Sequence, residues 1–194
     1  TRFLPRPGDL PEERRVVSIA LGGYRGGRAL GQRVETDLFD LKGCVEAVLA
    51  RFGLEDVHYL PVVHPTFHPA RAALVVLGGP TGSDDWPRPE SVLGILGEVN
   101  REVAEGFDIT GQRVYLAGLD FARLLEVGTR DRVYQPVPKY PPVRQDIAVV
   151  VSEAVRAADV RRRIMAAGGE LLREARLFDV YSGKPIPEGH KSLA

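Results

Sequence analysis

Lys139-Tyr140-Pro141-Pro142-Val143-Arg144-Gln145-Asp146-Ile147-Ala148-Val149-Val150-Val151 opens the last part of the chain, and its reading sets the fold. From Asp146 to Val151 the run is almost continuously apolar, as suits a central strand covered on both faces or heavily on one. The spacing that follows predicts a helix over Ala157–Ala167. Val160 and Ile164, four apart, form its inner side, while Arg161, Arg162 and Arg163 spread over the outer surface. Gly168-Gly169 ends it. Leu171–Tyr181 reads as a second strand region, with Leu177, Val180 and Tyr181 its apolar or aromatic members. Ser182–Gly189 reads as a hairpin-like turn, and a third strand begins at Lys191. The order is β-α-β-β. A ferredoxin-like domain continues with one more helix and one more strand.

Working back towards the start, Pro136, Pro138, Pro141 and Pro142 form neither a helix nor a central strand. The segment 136–142 is therefore expected to be a stiff, extended linker between a domain over residues 1–135 and a second over 139–194. Within 1–135 the strongest helix signal is Asp40–Phe52, where Leu41, Val45, Val48, Leu49 and Phe52 recur at helical spacing. Asp37 or Asp40 is placed to cap its start and Gly53 to close its end. Cys44, beside the apolar face, is expected to be a small core residue. Strands are expected at Arg15–Ala20, Val57–Val62, Ala72–Leu77, Val92–Gly97 and Val114–Leu119, with short helices at Arg101–Glu105 and Phe121–Leu125. Residues 5–13 and 78–90 read as loops, the second with Trp86 as an anchor. The sum is an α+β pattern with a mixed, mainly antiparallel sheet.

Composition narrows the class. The 194 residues are 44% hydrophobic, and 26 basic residues balance 26 acidic ones. Residues 139–194 hold 10 Lys and Arg against 7 Asp and Glu, a local +3 that permits an RNA contact without demanding one. No run approaches the ~20 apolar residues of a membrane span. Arg2, Pro5, Arg6 and Pro7 interrupt the only apolar start, so no signal peptide is expected. A lone cysteine fits a reducing, cytoplasmic setting. The opening Thr1 and the closing Lys191-Ser192-Leu193-Ala194, which read as a strand just beginning, are taken as cuts in a longer chain.

A catalytic or metal constellation is not expected. His64 and His68 stand at i, i+4, a zinc-chelating spacing on a helix, but a proline follows each one. A histidine bonded to backbone is the expectation at both. Asp84-Asp85 read as a solvated loop rather than a magnesium site. Gly22-Gly23-Tyr24-Arg25-Gly26-Gly27 lacks the Gly-Lys-Ser/Thr ending of a phosphate loop, and a hairpin is expected there. Arginines on a helix can engage phosphates. Tyr140, Phe178 and Tyr181 are candidates to stack on unpaired bases, and each also suits a core, Phe178 above all.

Several motifs in order carry a resemblance. Phe39-Asp40-Leu41-Lys42-Gly43, His64-Pro65 with Pro69-Ala70-Arg71-Ala72-Ala73, and Leu93-Gly94-Ile95-Leu96-Gly97-Glu98-Val99-Asn100 come first. Lys139-Tyr140-Pro141, Phe178-Asp179-Val180-Tyr181 and Pro187-Glu188-Gly189-His190-Lys191-Ser192-Leu193-Ala194 follow. Together they resemble the β chain of bacterial phenylalanyl-tRNA synthetase, with Asn100-Arg101 replacing a usual His-Pro. The resemblance implies that 1–135 is the later part of a class II synthetase-like module without catalytic residues. It implies that 139–194 is the start of a ferredoxin-fold anticodon-binding domain. It implies an α-chain partner in an α2β2 assembly, tRNA(Phe) as ligand, and ATP and Mg2+ used by the holoenzyme but no cofactor in this chain. The same analogy points to RNA contacts from Lys139, Tyr140, Arg144, Arg161, Arg162, Tyr181 and Lys191. Two alternatives stay open: a free-standing RNA-binding or protein-interaction module with these folds, and an unrelated enzyme in the first domain.

Overall fold

The computed structural model describes residues 1–25, 34–78, 87–129, 134 and 139–194. It falls into two compact units, Thr1–Tyr134 and Gln135–Ala194. Gly26, Gly27, Asp84, Asp85, Trp86, Pro136 and Pro138, all named above, lie outside the described residues.

The first unit is organised by strands β1 (Arg2–Arg6), β2 (Asp9–Arg14), β3 (Val16–Gly22), β4 (Tyr24–Arg25) and β5 (Val34–Glu35). Helix α1 (Leu38–Arg51), β6 (Val57–Pro61), β7 (Phe67–Leu77), β8 (Val92–Val99), α2 (Arg101–Glu105), β9 (Val114–Asp120) and α3 (Phe121–Val127) follow. The central sheet has the order β3-β9-β8-β7-β6, and each of its pairings is antiparallel.

Helix α1 begins where the sequence supplies its own cap. The Asp37 carboxylate accepts from the Asp40 amide and the Asp40 carboxylate accepts from the Asp37 amide, a reciprocal capping box. Arg25 holds both acids, at 2.9 Å from Asp37 and 2.8 Å from Asp40. Gly53, in the left-handed region at φ +71°, turns the chain off the helix end. Leu41, Val45 and Leu49 are buried against sheet residues including Tyr115, Ala117 and Leu119. Burying three such side chains contributes roughly 1.5–3 kcal/mol each. The register Ile19–Ala117–Leu96–Ala73 lines up one row of that covered face. A register shift between Val75 and Val76 re-aims the strand, and Leu93 enters the core.

Two expectations for this unit are corrected. Cys44 is exposed, because the buried line runs through Leu41, Val45 and Leu49 at strict i+4 steps and leaves residue 44 on the flank. Residues 5–13 are not a loop but most of the β1–β2 hairpin, closed by Gly8 at φ +76°. Exposure on both faces removes the alternation that marks a strand, and pairing is supported instead by Arg6 and Arg14 on Glu12.

The second unit contains β10 (Val149–Ser152), α4 (Ala157–Gly168), β11 (Val180–Tyr181) and β12 (His190–Leu193). The sheet order is β10-β12-β11, so the last strand lies between the other two, and both its pairings are antiparallel. This is the first-third-second order of a ferredoxin-like sheet. The strands are shorter than the apolar runs implied. Asp146–Ala148 makes no ladder, and Leu171–Leu177 is also unpaired. Phe178 and Asp179 extend β11 by amide bonds to the Ala194 carbonyl. No helix among the described residues is long and apolar enough to cross a membrane.

Candidate nucleic-acid interface

Register decides which side chains of the second unit share a surface. Val149, Leu193 and Val180 stand opposite one another and occupy one face; Val151 and Lys191 continue it. Leu193 is buried and Val149, Val151 and Lys191 are half-buried, while Val180 on the edge strand is 53% exposed, so this face is covered over β10 and β12. Val160 and Ile164 give α4 a half-buried apolar side of the kind that packs on such a face. The alternate residues Val150, Ser192 and Tyr181 form the other face, with Ser152 and His190 beyond them. Here Val150 is 52% and Tyr181 48% exposed, and this is the open face.

Tyr181 is held rather than loose. Its hydroxyl donates to the Lys184 carbonyl at 2.8 Å. Gly183, at φ +135°, brings the turn so close that a Cβ there would stand 3.2 Å from the phenol oxygen. The ring thus presents a fixed, partly exposed π surface of the kind on which bases stack. His190, whose Nδ1 lies 3.2 Å from the Glu188 carbonyl, sits on the same face. That face carries no permanent cation from the strand ladder. Its own acid is Asp179, two residues before Tyr181 and therefore on the same side.

The seven residues read from sequence as RNA contacts do not form one cluster. Tyr181 is on the open face. Lys191 is on the covered face, and its ammonium donates to the Glu153 carbonyl at 2.9 Å. Arg161 and Arg162 are on α4. The Arg161 Nε donates to the Ala175 carbonyl at 2.8 Å, and Arg162 pairs with Asp159. Lys139, Tyr140 and Arg144 are exposed on the unpaired stretch before β10. Phe178, expected as core, is 63% exposed. The shared face of His190, Ser152 and Ser192 depends on β12 lying centrally, which strand-by-strand reading does not reveal.

In the first unit the candidate histidines serve local turns. His64 Nδ1 accepts from the Thr66 amide and His68 Nδ1 from the Ala70 amide, each at 3.2 Å. No three His, Cys, Asp or Glu side chains come together as a metal site among the described residues. The buried charge among the described residues is Glu98, whose two carboxylate oxygens both accept from Arg71 Nη1 at 2.9 Å. Arg113 lies close to Glu98 and to the Tyr115 hydroxyl, and both hold its guanidinium above its ordinary range, the hydroxyl most of all. The arrangement ties strands together; a nucleophile with an adjacent base is not assembled there.

The βαββ unit with its first-third-second strand order is of the ferredoxin-like class, and residues 138–194 match the family described as ferredoxin-fold anticodon binding domain. Residues 1–121 match the family described as phenylalanyl tRNA synthetase beta chain CLM domain. The chain belongs to the phenylalanyl-tRNA synthetase β chain family. It is 40% identical over 194 residues to the phenylalanine–tRNA ligase beta subunit of Symbiobacterium thermophilum, covering 99% of this chain and 20% of the relative. The Clostridium acetobutylicum beta subunit is 35% identical over 96% of this chain and 21% of the relative. That of Bacillus subtilis is 33% identical over 94% and 21%. The chain thus spans about a fifth of the length of these curated relatives.

Proposed function

We propose that the chain serves a phenylalanine–tRNA ligase as a non-catalytic part of its β subunit. Residues 1–135 support assembly with an α subunit, residues 139–194 engage the anticodon region of tRNA(Phe), and 136–142 link the two. The holoenzyme, an α2β2 heterotetramer in the cytoplasm, attaches phenylalanine to tRNA(Phe) with ATP. ATP and Mg2+ are handled by the α subunit. Within 139–194, Tyr181 stacks on an unpaired base. Lys139, Arg144, Arg161 and Arg162 meet phosphates, and Tyr140 offers a second aromatic ring. Lys191 acts less directly, by holding the end of β10 through the Glu153 carbonyl.

The observation that carries this reading is the succession, in one chain, of the two family matches with an open sheet face in the second. The test mixes the chain with the matching α subunit and measures mass by size-exclusion chromatography with light scattering. A stable complex supports the assembly role. A chain that binds RNA but never the α subunit supports a free-standing RNA-binding module instead. tRNA(Phe) binding, compared with a tRNA of different anticodon, tests the second domain.

A further inference from the structure

We infer that the second unit carries two separate RNA-binding surfaces: the open sheet face for unpaired bases and the α4 side for the phosphodiester backbone of an RNA stem. This rests on the reading of the chain as an RNA-binding part of the ligase and assigns Arg173 and Arg176, with Arg161, to the second surface.

The two faces differ in chemistry. The open face offers Tyr181, Val150, Ser152, Ser192 and His190, with Asp179 as its acid, so it suits bases and is poor in phosphate partners. Between residues 156 and 176 the chain has six arginines (156, 161, 162, 163, 173 and 176) against three acids (159, 170 and 174), a local +3. Asp159 is already shared by Arg156 and Arg162. Glu170 and Glu174 form no ion pair with the arginines among the described residues, so those cations are not locally neutralised by contact.

Placement groups Arg161, Arg173 and Arg176. Three consecutive helical residues fan over about 200°. Arg162 therefore crowns α4, while Arg161 and Arg163 flank it. The Arg161 Nε bond to the Ala175 carbonyl lays the segment around residues 173–176 beside the helix. That bond leaves the Arg161 Nη groups available and sets Arg176 next in sequence to the anchored carbonyl. Residues 173 to 176 span at most about 10 Å. Arg173 and Arg176 are exposed and pair with no described residue. Rigid, forked donors in such a row suit phosphate oxygens. With the half-buried Val160–Ile164 side of α4 set over the Leu193 face, a short single strand stacked on Tyr181 does not also lie along the row. Phosphate contacts set position and base contacts set specificity, and the unit divides those tasks between its sides.

The experiment uses the 194-residue chain with two probes: a short blunt RNA duplex and a single-stranded oligonucleotide of the tRNA(Phe) anticodon-loop sequence. The R173E/R176E variant is expected to lose roughly tenfold in duplex affinity at low salt, and about two from the slope of log affinity against log salt. Its oligonucleotide affinity is expected to stay unchanged, and R173K/R176K to retain duplex binding. Y181A is expected to show the converse pattern. Unchanged duplex affinity and slope in R173E/R176E would overturn the second surface while leaving the anticodon reading intact. So would a wild-type chain that binds the oligonucleotide alone. Equal loss of both probes in R173E/R176E, with fold retained by circular dichroism, would overturn the separation of surfaces. Wild-type binding of neither probe would overturn this inference together with the RNA-binding reading beneath it.

Discussion

Two glycine-to-alanine changes in the first unit should move its stability in opposite directions, for reasons visible in the structure. Gly94 lies in β8 opposite Leu119 of β9. A Cβ there would collide with the Gly118 carbonyl oxygen and stand 2.8 Å from Leu119 Cδ2 and 2.9 Å from Leu119 Cα. The offending atoms are mostly backbone at the centre of a five-stranded sheet, so relief requires one strand to move. Overpacking of this kind costs typically 1–3 kcal/mol, and the backbone clash places Gly94→Ala at about 3. The lower unfolded-chain entropy of alanine returns only about 0.4–1 kcal/mol. The expected net loss is about 2 kcal/mol. Gly43 sits inside α1, without a left-handed φ, and a Cβ added there would meet nothing within 4 Å. There Gly→Ala should stabilise by about 0.8–1 kcal/mol through helix propensity alone. Urea denaturation followed by far-ultraviolet circular dichroism measures both, with equal m values the sign that only stability changed. A Gly94→Ala variant as stable as the parent would refute the close approach of β8 and β9. A destabilised Gly43→Ala variant would refute the open helical setting of that residue.

Other expectations concern single side chains. The Tyr59 hydroxyl is buried without a hydrogen-bond partner among the described residues, and Lys42 Nζ lies 4.6 Å over its ring. Burial, then Glu46, pushes its ionisation well above the ordinary 10.0. The folded state therefore keeps the proton longer than the unfolded chain, and stability present below pH 10 declines as pH rises towards the folded value. Tyr59→Phe should be neutral to slightly stabilising at about pH 7 and should abolish that alkaline decline in pH-dependent urea midpoints. Tyr181→Ala should lose about 1–3 kcal/mol of binding to an anticodon-loop oligonucleotide, whereas Tyr181→Phe, which keeps the ring and loses the bond to Lys184, should lose under about 1.5 kcal/mol; equal losses in both would mean that the hydroxyl rather than the π surface matters. Leu193 is the one buried hydrophobic residue of the second unit among those described. Leu193→Ala should cost about 2–5 kcal/mol. It should release amide-exchange protection in residues 149–194 while leaving α1 protected, and uniform loss across both units would contradict their separate cores.

Periodic apolar residues and local caps were sufficient to read much of this chain. Leu41, Val45 and Leu49 mark α1, Asp37 and Asp40 mark its start, and each of the five central strands shows in its own β-branched or alternating run. The helix over 157–167 is legible in the same way, and so is the βαββ order, because these signals act over a few residues. The β1–β2 hairpin is not legible, since strands exposed on both faces have no inside to encode. Nor is the exposure of Cys44, one helical step from a buried residue. The candidate site depends still more on distant pairing. Arg161, Tyr181 and Lys191 look equivalent as a list of polar and aromatic residues. Only the central position of β12 sets Tyr181 on the open face with His190 and turns Lys191 to the other side, because the side chains of a sheet alternate and one step of register exchanges the faces. Only the bond from Arg161 to the Ala175 carbonyl brings the segment carrying Arg173 and Arg176 against α4. Composition and local spacing determine which elements form; which residues share a surface is settled by strand order and by contacts between residues far apart in sequence.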